Sequence, residues 1–196
     1  MHRISIYITV LLLASVSPAL SQTSEDPILQ SLEAAAQHYR EGGFTAALID
    51  LTHASRMIHQ KKGESLERLL PQPLNGWAVQ QNRTPAAGST DFEGTTTIEQ
   101  RYIKNESSIM IRFSMDSPMM QSMLMMFSNP VFASSAGTLE LIKGQKAIID
   151  FQETSGNINL VIGSNILITI EGKNITRTDL LAAASMIDMD ALTRLP

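Results

Sequence analysis

The hydrophobic period of this chain changes at one place, Leu69-Leu70-Pro71-Gln72-Pro73-Leu74-Asn75-Gly76-Trp77. Before it, apolar residues recur three and four apart, as on one face of a helix. After it they alternate, as on half-buried strands. Pro71 and Pro73 fix φ and each lacks an N–H, so neither a helix nor a strand ladder can run through this point. A helical part must end here and a sheet must begin. Leu69, Leu70, Leu74 and Trp77, the single tryptophan of the chain, are too apolar for a solvated linker. Residues 71–78 are therefore expected to form a docked elbow, with Trp77 pinning the helices to the sheet.

The helical part, residues 22–70, reads as a hairpin arm. Asp26-Pro27 is a helix start, with an acceptor side chain at the N-cap and proline in the first turn. Ile28, Leu32, Ala35, Ala36 and Tyr39 follow at helical spacing, and Gly42-Gly43 ends the helix. Thr45 can cap a second helix, with Phe44 and Ile49 as a staple across the cap. Its apolar stripe is Phe44, Ala47, Leu48, Leu51, Ala54 and Ile58. Gly63 is expected to stop it, and 64–70 to add a turn or two. His38, His53 and His59 lack the i, i+4 spacing of a helical zinc site and read as surface or boundary residues.

The pattern Tyr39-x2-Gly42-x-Phe44-x2-Ala47-x3-Leu51-x2-Ala54 resembles the middle of a tetratricopeptide repeat. In that family the small residues sit where two antiparallel helices touch, and the glycine sits at the turn. The resemblance covers about 30 residues, and the chain holds no second copy, whereas repeat arrays need roughly three units to bury a continuous core. Two readings stay open for the arm: a structural element packed on the following domain, or a docking surface for a partner protein.

Residues 79–196 read as an antiparallel α+β domain. Trp77 and Val79 open a first strand, and 85–94 is a polar loop. Ile98 and Tyr102 share one face of the next strand. Lys104-Asn105-Glu106 turns a hairpin into Ile109, Ile111, Phe113 and Met115. Asp116-Ser117-Pro118 is expected to cap a short helix running to Phe127. Four short strands then follow, around Leu139 and Leu141, around Ala147 to Phe151, around Ile158 to Ile162, and around Ile166 to Ile170, with turns at Lys143-Gly144, Ser155-Gly156 and Gly163-Ser164-Asn165. This even spacing makes a meander. Thr176 and Asp179 have the form of a capping box for a closing helix, and Asp188 caps a last turn. The fold class expected is α+β: an N-terminal helical hairpin, then an antiparallel sheet of six to seven strands covered by helices on one face.

The first residues point to export. Met1-His2-Arg3 is basic, 4–16 is apolar and uncharged, and Ala19 and Ser21 are small residues placed for cleavage after Ser21. Residues 1–21 are thus expected to be a signal peptide, and no stable membrane span to remain after cleavage. There is no cysteine, so neither a disulfide nor a lipid-modified cysteine is available, which suits a bacterial periplasm or a secreted protein better than a bridged extracellular domain. In layout the chain also resembles uncharacterised exported bacterial proteins, with a helical start, a proline–leucine–glycine–tryptophan elbow, an antiparallel sheet and a closing helix. That resemblance carries no catalytic residues.

The formal net charge of -4 gives no basic footprint for nucleic acid. No G-x-S-x-G elbow, phosphate-cradling glycine loop or convergent carboxylate pair is present. No catalytic residue and no cofactor are expected. The compositional oddity is methionine: seven lie between Met110 and Met126. Thioether sulfur is a soft ligand suited to Cu(I); Met119, Met123 and Met126 would line one face of a short helix, with Met115 near its start. Methionine is also an adaptable core filler, which explains the same spacing without a metal. The expected function is that of an exported, non-enzymatic binding or accessory protein. It would meet an envelope protein partner through Tyr39, Phe44 and Trp77. The alternative is a carrier of a small apolar ligand or Cu(I) using the methionine-rich segment 115–126.

Overall fold

The computed structural model describes residues 26–80, 94–129 and 135–195. The expected signal peptide 1–21, its cleavage point after Ser21 and most of the 85–94 loop lie outside these residues. The order of elements is helix α1 (Pro27–Arg40), helix α2 (Phe44–Glu67), β1 (Ala78–Gln80), β2 (Thr96–Lys104), β3 (Ser107–Met115), helix α3 (Met120–Ser128), β4 (Thr138–Ile142), β5 (Gln145–Gln152), β6 (Ser155–Ile162), β7 (Ile166–Lys173), helix α4 (Arg177–Met186) and helix α5 (Met189–Thr193). The fold is α+β, a helical pair followed by a seven-stranded antiparallel sheet with helices packed on it.

The helices begin and end for local reasons. The Asp26 carboxylate accepts the Ile28 N–H at 2.9 Å, which holds its pKa below the usual range. Gly42, at φ 79, ends α1: its N–H donates to the Tyr39 carbonyl and that of Gly43 to the His38 carbonyl. This left-handed exit satisfies two orphan carbonyls and places Gly43 directly at the N-cap of α2. Thr45 therefore lies inside the helix and caps nothing. The staple expected between Phe44 and Ile49 is also absent: both side chains are exposed. Nor does Gly63 stop α2. It is buried within the helix, which runs on to Glu67. A helical glycine costs about 1 kcal/mol. Anchoring of the last turns offsets this, through Leu66 in the main core, His59 Nδ1 to Thr96 Oγ1 at 2.9 Å, and the Lys62–Asp116 ion pair.

The sheet order is β1-β2-β3-β7-β6-β5-β4. It consists of two meanders, β1–β3 and β4–β7, joined where β7 pairs with β3. The chain must cross from β3 to the far edge before it can meander back, and α3 is part of that crossing. Hairpin turns occur where the sequence placed them at Asn105 (φ 54), at Lys143-Gly144 (φ 48 and 80) and at Gly163 (φ 60). The β5–β6 turn differs. It falls at Glu153-Thr154, with Glu153 at φ 50, and Gly156 sits inside β6 opposite Phe151. Asp116 does not cap α3 either. It has φ 58 and pairs with Lys62, while the Ser117 hydroxyl accepts the Met119 N–H.

One sheet face carries Ile98, Phe113, Ile168 and Leu160 in a single cross-strand row. Leu66, Trp77, Leu180, Ile187 and Leu192 from the helices and elbow close over this face. The capping box expected at the start of α4 is present, Thr176 and Asp179 each bonding the other's backbone, and Asp188 caps α5. The other face is covered only in part. There Phe127, Met123 and Met126 pack with Ile148 and Val161. Helices on one face thus describes α2, α4 and α5 but not α3, because the β3–β4 crossing passes behind the sheet.

The elbow, whose Leu69, Leu70, Leu74 and Trp77 pack on the main core, is also held by a buried hydroxyl. Tyr102 Oη donates to the Pro71 carbonyl at 2.5 Å, and burial pushes its pKa up to about 12. A native tyrosine that holds its proton above the unfolded value of about 10 gives a native state that binds more protons in that window. Stability from this group is therefore complete below pH 10 and is lost as pH rises through 12, by roughly 2 kcal/mol at the upper end. The fall in urea stability between pH 10 and 12 should be shallower in Tyr102→Phe than in the wild type. Parallel curves would show that Tyr102 ionises as easily in the native state as in the unfolded one.

Candidate functional site

The surface feature that packing leaves unexplained is on the hairpin. The two helices meet through small and polar residues. Ala35, Ala47 and Ala54 are buried. Ser31 Oγ lies 3.0 Å from His53 Nδ1, and His38 Nδ1 lies 2.7 Å from Asp50 Oδ2. Beside this seam, one step along each helix, runs a stripe of residues that are apolar except at Ser55. On α1 these are Leu29, Leu32, Ala36 and Tyr39. On α2 they are Phe44, Leu48, Leu51, Ser55 and Ile58.

One residue is about 100° of helix rotation. Both stripes therefore stand the same angular step from the helix–helix seam, in the direction of chain advance. In antiparallel helices that step turns both stripes to the same broad side of the hairpin. The Tyr39 and Phe44 rings confirm this at the turn, with centroids 5.7 Å apart. The result is one apolar face without a charged residue. Tyr39, Phe44 and Leu48 on it are 62–66% exposed. Beyond Ile58 the same side of α2 turns to the sheet domain, with Lys62 paired to Asp116 and Leu66 buried completely in the main core. Nearer the hairpin turn the same stripe has no cover among the described residues.

Of the residues expected to make contacts, Tyr39 and Phe44 stand at the tip of this face. Trp77 is buried in the main core, packed with residues of the helices and the sheet. The four methionines are divided by the sheet. Met115 belongs to the main core, Met123 and Met126 pack behind the sheet, and Met119 is exposed. Their sulfurs do not meet at one point. Among the described residues, no group of three or more histidine or acidic side chains is placed to hold a metal ion.

Two other features carry polar chemistry or space. Behind the sheet, Arg112 donates through Nε and Nη2 to Glu99 (3.2 and 3.0 Å) and lies 3.6 Å from Glu171. These groups are partly exposed and satisfy one another, as on a solvated sheet face. Near the elbow, Leu74, Trp77, Tyr102, Ile109, Ala183 and Met186 line a cleft of about 230 Å³ that includes space open to solvent. The room enclosed in it is only about that of one water molecule, too little for a small-molecule ligand.

Comparison with known protein families, curated protein sequences and solved structures gives no match. Among the described residues, no helix is long and apolar enough to cross a membrane. The apolar face was only half visible in the sequence. Tyr39 and Phe44 stood out, but Leu48 and Leu51 read only as part of the apolar stripe of α2, and Leu29 gave no signal. The signal that could have found them is the alanine seam one step earlier on each helix: the small residues take the helix contact, so the large ones must face elsewhere.

Proposed function

We propose that this chain is an exported, non-enzymatic binding or accessory protein that acts by protein–protein contact through the apolar face of its helical hairpin. One observation carries the reading: a charge-free face of large side chains on both helices, left open by a hairpin that closes through alanines. Faces of this kind are costly in water and mark interaction sites, and charge depletion with aromatic enrichment is the composition of an interface centre. Export rests on the leader-like residues 1–21 and the absence of cysteine, and places the partner in the cell envelope.

The test is capture from envelope extract by the wild-type chain and by a Tyr39→Ser, Phe44→Ser variant. Both side chains are more than half exposed, so the variant should fold. An envelope protein retained at least about tenfold less by the variant is the expected result, the size of effect that one or two anchor residues have. Identical retention profiles, or nothing retained by either bait, would remove the reading.

A further inference from the structure

We infer that the hairpin face pairs with the same face of a second copy of this chain, so that two hairpins stack into an antiparallel four-helix bundle. The inference rests on the reading that this face is the contact surface, and commits it to one occupant. Three observations point to self-pairing.

The first is area. Seven large apolar side chains, each roughly half exposed, present on the order of 600 Å². With a polar rim this approaches the roughly 800 Å² per partner of a standard interface. It stands at the upper end of what the largest apolar patch of a monomer offers.

The second is spacing. Leu29, Leu32, Ala36 and Tyr39 are separated by three, four and three residues, the a/d spacing of a coiled-coil seam. On α2 the separations from Phe44 to Ile58 are four, three, four and three, with Ser55 as the one polar member. Two hairpins with such stripes pack face to face as a bundle. A two-fold axis lying in the interface across the helices sets α1 against α1 and α2 against α2, each pair antiparallel. This is a closed, isologous contact.

The third is charge. Glu33 and Arg40 flank the α1 stripe seven residues apart, in the rim position next to the seam. In an antiparallel α1 pair, like rim positions face each other. With the axis between residues 36 and 37, Glu33 of one copy meets Arg40 of the other, twice. Rim charges of this kind set orientation and partner choice. Between residues 26 and 70 the chain carries five basic and six acidic residues, so two arms do not repel.

The experiment is sedimentation equilibrium of the full chain, expressed with its leader and purified from the envelope, up to about 100 µM. The wild type should dimerise. Leu48→Glu, which places a charge at the middle of the face, should raise the dimer dissociation constant by at least about 100-fold, with an unchanged thermal transition at a dilution where both proteins are monomers. Glu33→Arg and Arg40→Glu should each weaken the dimer, and the two together should restore it. A wild-type monomer at the highest concentration overturns the inference, as does a dimer indifferent to Leu48→Glu or a charge exchange without rescue. A monomer that still loses an envelope partner when Tyr39 and Phe44 are replaced overturns self-pairing and keeps the accessory function. A dimer that retains no other protein does the reverse.

Discussion

Phe113→Ala is expected to lower the stability of the fold by about 4 kcal/mol, the size of loss that follows deletion of a buried aromatic side chain. Phe113 is fully buried on β3, the strand at which the two meanders join. Its sheet neighbours on the core face are Ile98 on β2 and Ile168 on β7. These are held by ladders on both sides, so the backbone cannot collapse into the space vacated. The loss therefore combines lost burial with a cavity that persists. Urea unfolding of wild type and variant measures it: the midpoint should fall with little change in slope. A loss below about 1.5 kcal/mol would mean that the core refills the site, as it does for volume-conserving exchanges. Since small domains are stable by only about 5–15 kcal/mol, this substitution should be among the most damaging single changes in the chain.

The same residues show why the sheet was legible in the sequence. Ile109, Ile111, Phe113 and Met115 alternate with Ser108, Met110, Arg112 and Ser114. A period of two allows one register of faces and no other. Turn chemistry fixed the connections wherever a residue had to adopt positive φ and the sequence offered Asn or Gly. The β5–β6 turn was misplaced because its positive φ falls on Glu153, a residue type that gives no such signal, while Gly156 nearby gave a false one. Gly63 misled in the same way. A glycine in an apolar-periodic stretch reads as a stop until the packing that carries the helix across it is known.

Non-local information was missing for the rest. The side of the sheet that α3 covers follows from the crossing between meanders, which depends on β7 pairing with β3 across the intervening strands. The methionine segment could not be assigned to one face or the other without it. The exposed face of the hairpin depends on which of two adjacent stripes each helix buries. Size decides this in a way that hydrophobicity does not: Ala35, Ala47 and Ala54 let the backbones approach, and leave the leucines, Tyr39 and Phe44 outside. A stripe of large apolar residues then needs another surface, and among the described residues that surface is found only for the end of α2 at Leu66.

Gly156→Ala should be nearly as damaging as the loss of Phe113, and by the opposite physical route. Phe151, Gly156, Gly172 and Ile109 lie in one row across β5, β6, β7 and β3 on the core face. The two glycines clear the space into which neighbouring side chains fold. A methyl group on Gly156 would lie 2.5 Å from the Asp150 carbonyl oxygen and 2.9 Å from Cα of Phe151. These are main-chain atoms of the paired strand and cannot rotate away. Relief requires moving β5 from β6, which breaks ladder bonds or tilts Phe151 out of its place. A methyl on Gly172 meets Ile175 and, at 3.3 Å, Leu180 Cδ1, which are side chains able to shift. Overpacking costs about 1–3 kcal/mol. Gly156→Ala belongs at or above the top of that range and Gly172→Ala nearer the bottom. For a chain of this size about 3 kcal/mol is roughly 10 °C in melting temperature. Thermal denaturation followed by circular dichroism ranks the two. If Gly172→Ala melts lower than Gly156→Ala, the obstruction lies under α4 and not between the strands, and the open row is a seat for Ile175 more than a need of the β5–β6 pairing.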